Sequence, residues 1–283
     1  MPSRADVTPL LPCSLGVIGL GRMAQALLSP LLEDDRLLPS AVVASVATAA
    51  SAERLTTELG VTVGVDARPC LAAPVLLLAL KPQQLKGLLE SLAPLPPPPP
   101  PPPGLPRPLL VSVLAGVALQ RLHGAFPGWD VVRCVPNAPA LVRRGLIGLS
   151  GTGALAPAAR QLAHALLSPV GQVLDLPESQ LDAFLALTSS GPAFVAVVIE
   201  ALADGGVAAG LPRAQALELA RAMAAGSLDL LEQRQLHPAQ LKDMVASPGG
   251  TTMAGLRRLE AAGIRSALIE AVLAAYERSR ALA

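Results

Sequence analysis

The sequence predicts an α/β chain: a doubly wound parallel sheet in the first half, then an all-helical second half. Three observations carry this. Between residue 14 and about residue 155, short apolar runs alternate with stretches of helical period, the pattern of a parallel sheet covered by helices on both faces. Beyond residue 156 the β-branched runs give way to segments rich in Ala and Leu, which favour helix. Two glycines, Gly19 and Gly21, stand between the first apolar run and the first helical stretch, where a strand has to turn sharply.

Leu15-Gly16-Val17-Ile18 reads as the first strand and Met23 to Leu32 as the first helix. Ala41 to Val46, Val61 to Val63 and Val75 to Leu80 read as the next three strands, with Ser51 to Leu59 and Gln83 to Leu92 as helices. Leu109 to Leu114 and Val131 to Val135 complete the expected sheet, joined by a helix at Leu119 to Ala125. Between them an unbroken run of eight prolines, Pro96 to Pro103, is excluded from helix and from ladder-paired strand. The surface loop 94–108 is therefore expected to be an extended polyproline II spacer, with a docking site for a proline-reading domain as the alternative.

The second half reads as helices at Ala158 to Leu167, Leu181 to Ala209, Ala214 to Gln233, Ala239 to Val245, Met253 to Ala262 and Ile264 to Leu282. Pro192 is expected to bend or interrupt the second of these. The expected organisation is a disordered extension over residues 1–13, a sheet domain over 14–155 and a helical domain over 156–283.

Composition excludes several function classes. Lys+Arg is 22 against 21 Asp+Glu, a net charge of +1, so no basic field marks a nucleic-acid binder. Aromatics make up 2% of the chain, too few for base stacking. The longest apolar runs, Val75 to Leu80 and Ala193 to Ile199, fall short of the roughly 20 residues of a membrane span and read as buried core. Three widely spaced cysteines, Cys13, Cys70 and Cys134, suit free thiols in a reducing compartment, and neither a disulfide framework nor a metal site is expected.

Gly19-Leu20-Gly21-Arg22-Met23-Ala24 follows a strand and opens a helix, the context of a dinucleotide fingerprint. Gly19 permits the turn, Gly21 lets the backbone approach a pyrophosphate, and Ala24 allows close helix–strand packing. The helix start then presents free amides and its positive dipole end. No acid ends the second strand. Ser45 or Thr48, helped by Arg54, is placed to hold a ribose 2′-phosphate, which tilts the cofactor toward NADPH, with NADH as the alternative. Lys81 and Ala115-Gly116 end neighbouring strands and are expected in the same crevice.

Near the C-terminus, Ser247-Pro248-Gly249-Gly250-Thr251-Thr252 joins two helical segments. Its glycines free the backbone, and Thr251 or Thr252 is expected to cap the following helix. Such a turn exposes amides to a small anion.

These motifs, with Ala79-Leu80-Lys81-Pro82, Val132 to Pro139, Ser190-Gly191-Pro192 and His237-Pro238 through Asp243, resemble the pyrroline-5-carboxylate reductases over residues 15–282. The resemblance implies a Rossmann domain, a helical domain that interlocks in a homodimer or higher homo-oligomer, and reduction of 1-pyrroline-5-carboxylate to proline in the cytoplasm. It implies cofactor contacts at Ile18, Gly19, Leu20, Gly21, Arg22, Met23, Ser45, Leu80, Lys81 and Ala115. It implies substrate contacts at Glu178, Gly249, Gly250, Thr251 and Thr252, with Thr252 as the donor to the imine nitrogen. Ser189, Ala67, Met244 and Pro74 depart from the family pattern. Two other readings remain: a reductase of the β-hydroxyacid dehydrogenase type, whose central-helix lysine is missing between Ser190 and Glu200, and a non-catalytic dinucleotide-binding scaffold.

Overall fold

The computed structural model describes residues 13–153 and 155–281. The expected extension over residues 1–13 lies outside them, except for Cys13, which packs partly buried against the core of the sheet.

Along the chain, β1 (Leu15–Ile18), α1 (Arg22–Glu33), β2 (Val42–Ser45), α2 (Ala49–Leu59), β3 (Thr62–Gly64), β4 (Val75–Leu78), α3 (Leu85–Leu92), β5 (Leu109–Ser112), α4 (Leu119–Ala125) and β6 (Asp130–Val135) follow one another. β7 (Gly145–Gly151), α5 (Pro157–Leu167), β8 (Gly171–Asp175) and the short α6 (Leu181–Phe184) complete the series. The strands form one sheet in the order β3-β2-β1-β4-β5-β6-β7-β8. β1 pairs in parallel with both β2 and β4, so strand order reverses there and leaves a crevice at the carboxyl ends. Every residue of β4 is buried. Val75 and Leu77 join one apolar layer and Leu76 and Leu78 the other, as the alternation of side chains across a strand demands.

Local signals set the helix ends. Thr48 accepts the Ser51 amide at the start of α2, and Gly60 closes that helix in the left-handed region at φ 69°. Gly16 lies so close beneath the turn around Cys70 that an added Cβ would sit 2.1 Å from the Cys70 carbonyl oxygen.

The sequence boundary near 155 is corrected by the structure. The chain divides into one unit of 1–189 with 276–283 and a second unit, Ser190–Ala275. The sheet continues past residue 155: β7 runs antiparallel to β6, and β8, which follows α5, pairs in parallel with β7. Four glycines of β7 and β8 hide these strands from a propensity reading. Gly148 leaves room for Phe184, where a Cβ would lie 2.9 Å from the ring.

The helical stretch expected over Leu181 to Ala209, bent or interrupted by Pro192, is interrupted just before that proline. α6 passes through a π turn at Leu185–Ser189, and α7 (Gly191–Ala208) begins afresh with Pro192 in its first turn, where its missing N–H is tolerated. α8 (Arg213–Gln233), α9 (Pro238–Met244), α10 (Thr251–Ala261) and α11 (Ile264–Ala281) follow, and α11 ends in the first unit.

Within the second unit, α7 and α8 meet through Ala203, Ala216 and Ala220. Little else is covered. The run Ala193 to Ile199, expected as core, is largely exposed, with Val197 63% accessible. The helical stretch Glu178–Ala208 has a mean hydropathy of 1.7 over its most apolar window, and by length and composition alone it is long and apolar enough to cross a membrane. The reason for the difference is that, among the described residues, no element covers the side chains of Val195 and Val197.

Candidate active site

The glycine turn after β1 is built as its residues dictate. Gly19 has φ +90°, and an added Cβ would meet the Ala79 carbonyl oxygen at 2.8 Å, so both conformation and space demand glycine. Its amide and that of Leu20 donate to the Ser45 carbonyl at 3.0 and 3.1 Å. Gly21 is the N-cap of α1 and has no capping side chain. A Cβ there would meet nothing within 4 Å, so an anion has open access to the first-turn amides of Arg22 and Met23.

A cleft of about 390 Å³ opens at this turn. Of the residues read from the sequence, Gly19, Leu20, Gly21, Arg22, Leu80 and Lys81 line it. Lys81 donates its backbone amide to Gln84 Oε1 at 3.1 Å. Ile18 is a core side chain, Met23 is half-buried, and Ala115 lies exposed beyond β5 outside the cleft lining. Ser45 differs most from expectation: it is buried, and its carbonyl supports the turn.

Arg54, expected as a helper there, lines the cleft from α2, and Ser51 joins it in place of Ser45 and Thr48. Thr48 Oγ1 donates to Ser51 Oγ at 2.9 Å, and Arg54 Nη1 donates to Glu58 Oε2 at 2.7 Å. Gln25, Ser51 and Gln84 were missed by sequence reasoning. Gln25 follows Gly21 by one helical turn and donates to the Leu20 carbonyl at 3.0 Å, a spacing that could have exposed it.

In the second unit, Gly249 takes φ +70° and Gly250 becomes the N-cap of α10. Thr251 and Thr252 were expected as caps; they are the first two residues of the helix, because the Gly249 turn places Gly250 at the cap. The Gly250 amide donates to the Ser247 carbonyl at 3.0 Å, and no side chain caps the amides that follow. Thr251 is exposed and Thr252 half-buried. A groove of about 560 Å³ beside this turn is lined by Gly249 and Gly250 together with Lys242, Asp243, Arg257 and Glu260, and does not include the two threonines.

Glu178 lies in the first unit. Its Oε1 accepts the Leu119 amide at 2.7 Å and the Arg133 guanidinium at 3.3 Å. Arg133 also meets Asp182 at 3.5 Å, and Ser279 donates to Asp182 at 2.9 Å. A buried arginine inside an apolar strand, Val132-Arg133-Cys134, is the signal that marks this cluster. The thiols take no part: burial pushes Cys13 and Cys70 up and Cys134 up to about 12, so the reactive thiolate is suppressed.

This sheet, its reversed strand order and its glycine-turn cleft define a dinucleotide-binding oxidoreductase of the Rossmann type. Residues 14–116 match the family model described as NADP oxidoreductase coenzyme F420-dependent. Residues 178–282 match pyrroline-5-carboxylate reductase dimerisation. The chain is 44% identical over 269 residues to the pyrroline-5-carboxylate reductase of Synechocystis, covering 95% of this chain and 97% of that one. It is 32% identical to pyrroline-5-carboxylate reductase 3 of Xenopus laevis, covering 96% and 97%. The solved pyrroline-5-carboxylate reductase of Streptococcus pyogenes superposes with a TM-score of 0.83 at 26% identity, covering 95% of this chain and 98% of that one. The chain belongs to the pyrroline-5-carboxylate reductase family.

Proposed function

We propose that this protein reduces 1-pyrroline-5-carboxylate to L-proline, with NADPH as the preferred donor and NADH as the alternative. The observation that carries the reading is the uncapped Gly250–Thr252 helix start, in a chain that also carries an open glycine-turn cleft. The cleft residues fit a dinucleotide: Gly21 leaves its approach open, and the α1 amides take the pyrophosphate. When bound, the reduced nicotinamide supplies hydride to the carbon of the cyclic C=N bond.

The chain's own residues then hold and polarise the ring. The amides of Thr251 and Thr252 bind the carboxylate, with Gly249 and Gly250 shaping the turn. The Thr252 hydroxyl donates a hydrogen bond to the imine nitrogen, which takes up one proton from solvent as the carbon accepts the hydride, so that C=N becomes a secondary amine. Both internal contacts of Glu178 fall on Oε1, so Oε2 is the atom assigned to the substrate. Most of the acceleration comes from orientation.

Ser51 and Arg54 support NADPH, since both line the cleft and no acid ends β2 to repel a 2′-phosphate. The apolar surface of the second unit supports a homodimer or larger homo-oligomer through α7–α11, a large exposed apolar patch being the mark of an interface. Cytoplasmic placement belongs to the same reading, with three free thiols in its support. Steady-state oxidation of NADPH and of NADH with 1-pyrroline-5-carboxylate tests the whole: turnover with a higher kcat/KM for NADPH is expected, and no turnover with either donor refutes it.

A further inference from the structure

The proline run has no part in the reductase reading, yet it is not a free arc. Leu95, Pro96, Pro97 and Pro98 close one side of a cavity of about 170 Å³ whose other walls are Leu71, Phe126, Pro127 and Trp129. Gly128, at φ +86°, lies so near that a Cβ would meet Pro98 Cγ at 2.9 Å. Within the run Pro99 is half-buried and Pro102 buried, while Pro96, Pro97, Pro98, Pro100, Pro101 and Pro103 are exposed. The covered residues Pro99, Pro102 and, past the run, Leu105 lie three positions apart, the period of a polyproline II helix, which completes one turn in three residues and about 9 Å. A loop that serves only as a spacer needs neither this seat nor this phase.

We infer that the outward edge, Pro100, Pro101 and Pro103, is a docking strip for a proline-reading domain of a separate protein, one whose groove is lined by aromatic side chains. The chemistry fits that occupant. Proline carbonyls on the solvent side have no neighbouring N–H in the run to pair with, and the rings offer flat apolar faces at polyproline spacing for aromatic slots. The run is doubly pre-organised, by its own fixed φ and by its seat near Phe126 and Trp129, so little ordering entropy remains to be lost on binding.

The test titrates the full-length protein with two purified probes, an EVH1 domain and an SH3 domain, and follows binding by calorimetry. Saturable binding of at least one probe is expected. The triple variant Pro100→Ala, Pro101→Ala, Pro103→Ala should bind that probe at least tenfold more weakly with reductase turnover unchanged, which also reports that it folds. Failure of both probes to bind the unmodified chain overturns the inference, as does unchanged binding by the triple variant.

Discussion

Glu178 meets Arg133 through a single carboxylate oxygen, 3.3 Å from a guanidinium that is only 5% exposed. The same oxygen holds the first amide of α4. One residue beyond β8 therefore secures both a buried charge in β6 and the start of the helix that covers it. Glu178→Ala should lower stability by about 1–3 kcal/mol, because Arg133 would keep only Asp182 and the Leu119 amide would lose its acceptor. Glu178→Gln, which keeps an acceptor oxygen, should lose less. Urea unfolding curves for the two variants check the order.

The Asp175 carboxyl gives the fold an acid-sensitive contact. Burial alone would raise its pKa, but hydrogen bonds from Arg160 and His164 outweigh this and hold it below the ordinary carboxylate value. The sign follows: the contribution is present above the unfolded value of about 4 and is lost as pH falls through the lower folded value. Asp175→Asn should flatten that part of the acid limb in a series of thermal melts taken at falling pH. An unchanged acid limb would show that the pair contributes nothing to folding.

Cofactor choice is assigned to α2. Arg54→Ala should raise the Kd for NADPH by roughly tenfold, about 1.4 kcal/mol, and leave that for NADH within twofold. Glu58 holds the same guanidinium at 2.7 Å and competes with a phosphate for it. Glu58→Gln should therefore tighten NADPH binding. Fluorescence titration with each nucleotide measures both.

The second unit exposes Val195, Val197, Leu202 and Ile269 on one chain. If α7–α11 pack against a second copy, Val197→Asp should shift the protein toward monomer, since an unpaired buried charge at an interface is strongly unfavourable. Sedimentation velocity at several concentrations reads the outcome.

Much of the sheet was legible in the sequence because its strands are fully buried and rich in Val and Leu. β4 and β5 announce themselves in this way, and α4 was read with the bounds the structure gives it. β7 and β8 were not legible. Their glycines, Gly145, Gly148, Gly151 and Gly171, are explained only by long-range approaches, such as Gly171 against the Gly145 backbone. The two glycine turns were legible because positive φ at Gly19 and Gly249 needs a residue that sequence alone displays. Ser45 ends β2, where a hydroxyl suits the crevice, yet its side chain is buried away from the cleft lining. Arg54 was legible as a helper at the crevice, whereas Ser51 reaches the cleft from a helix whose rotation no local pattern sets.

The central claim is that Thr252, at the uncapped start of α10, donates to the ring nitrogen during hydride transfer. Steady-state turnover of 1-pyrroline-5-carboxylate by Thr252→Ala tests it most directly. The account predicts a fall in kcat of at least roughly tenfold, about 1.4 kcal/mol of barrier, with the fold and the NADPH affinity retained. A kcat equal to that of the unmodified protein would contradict it.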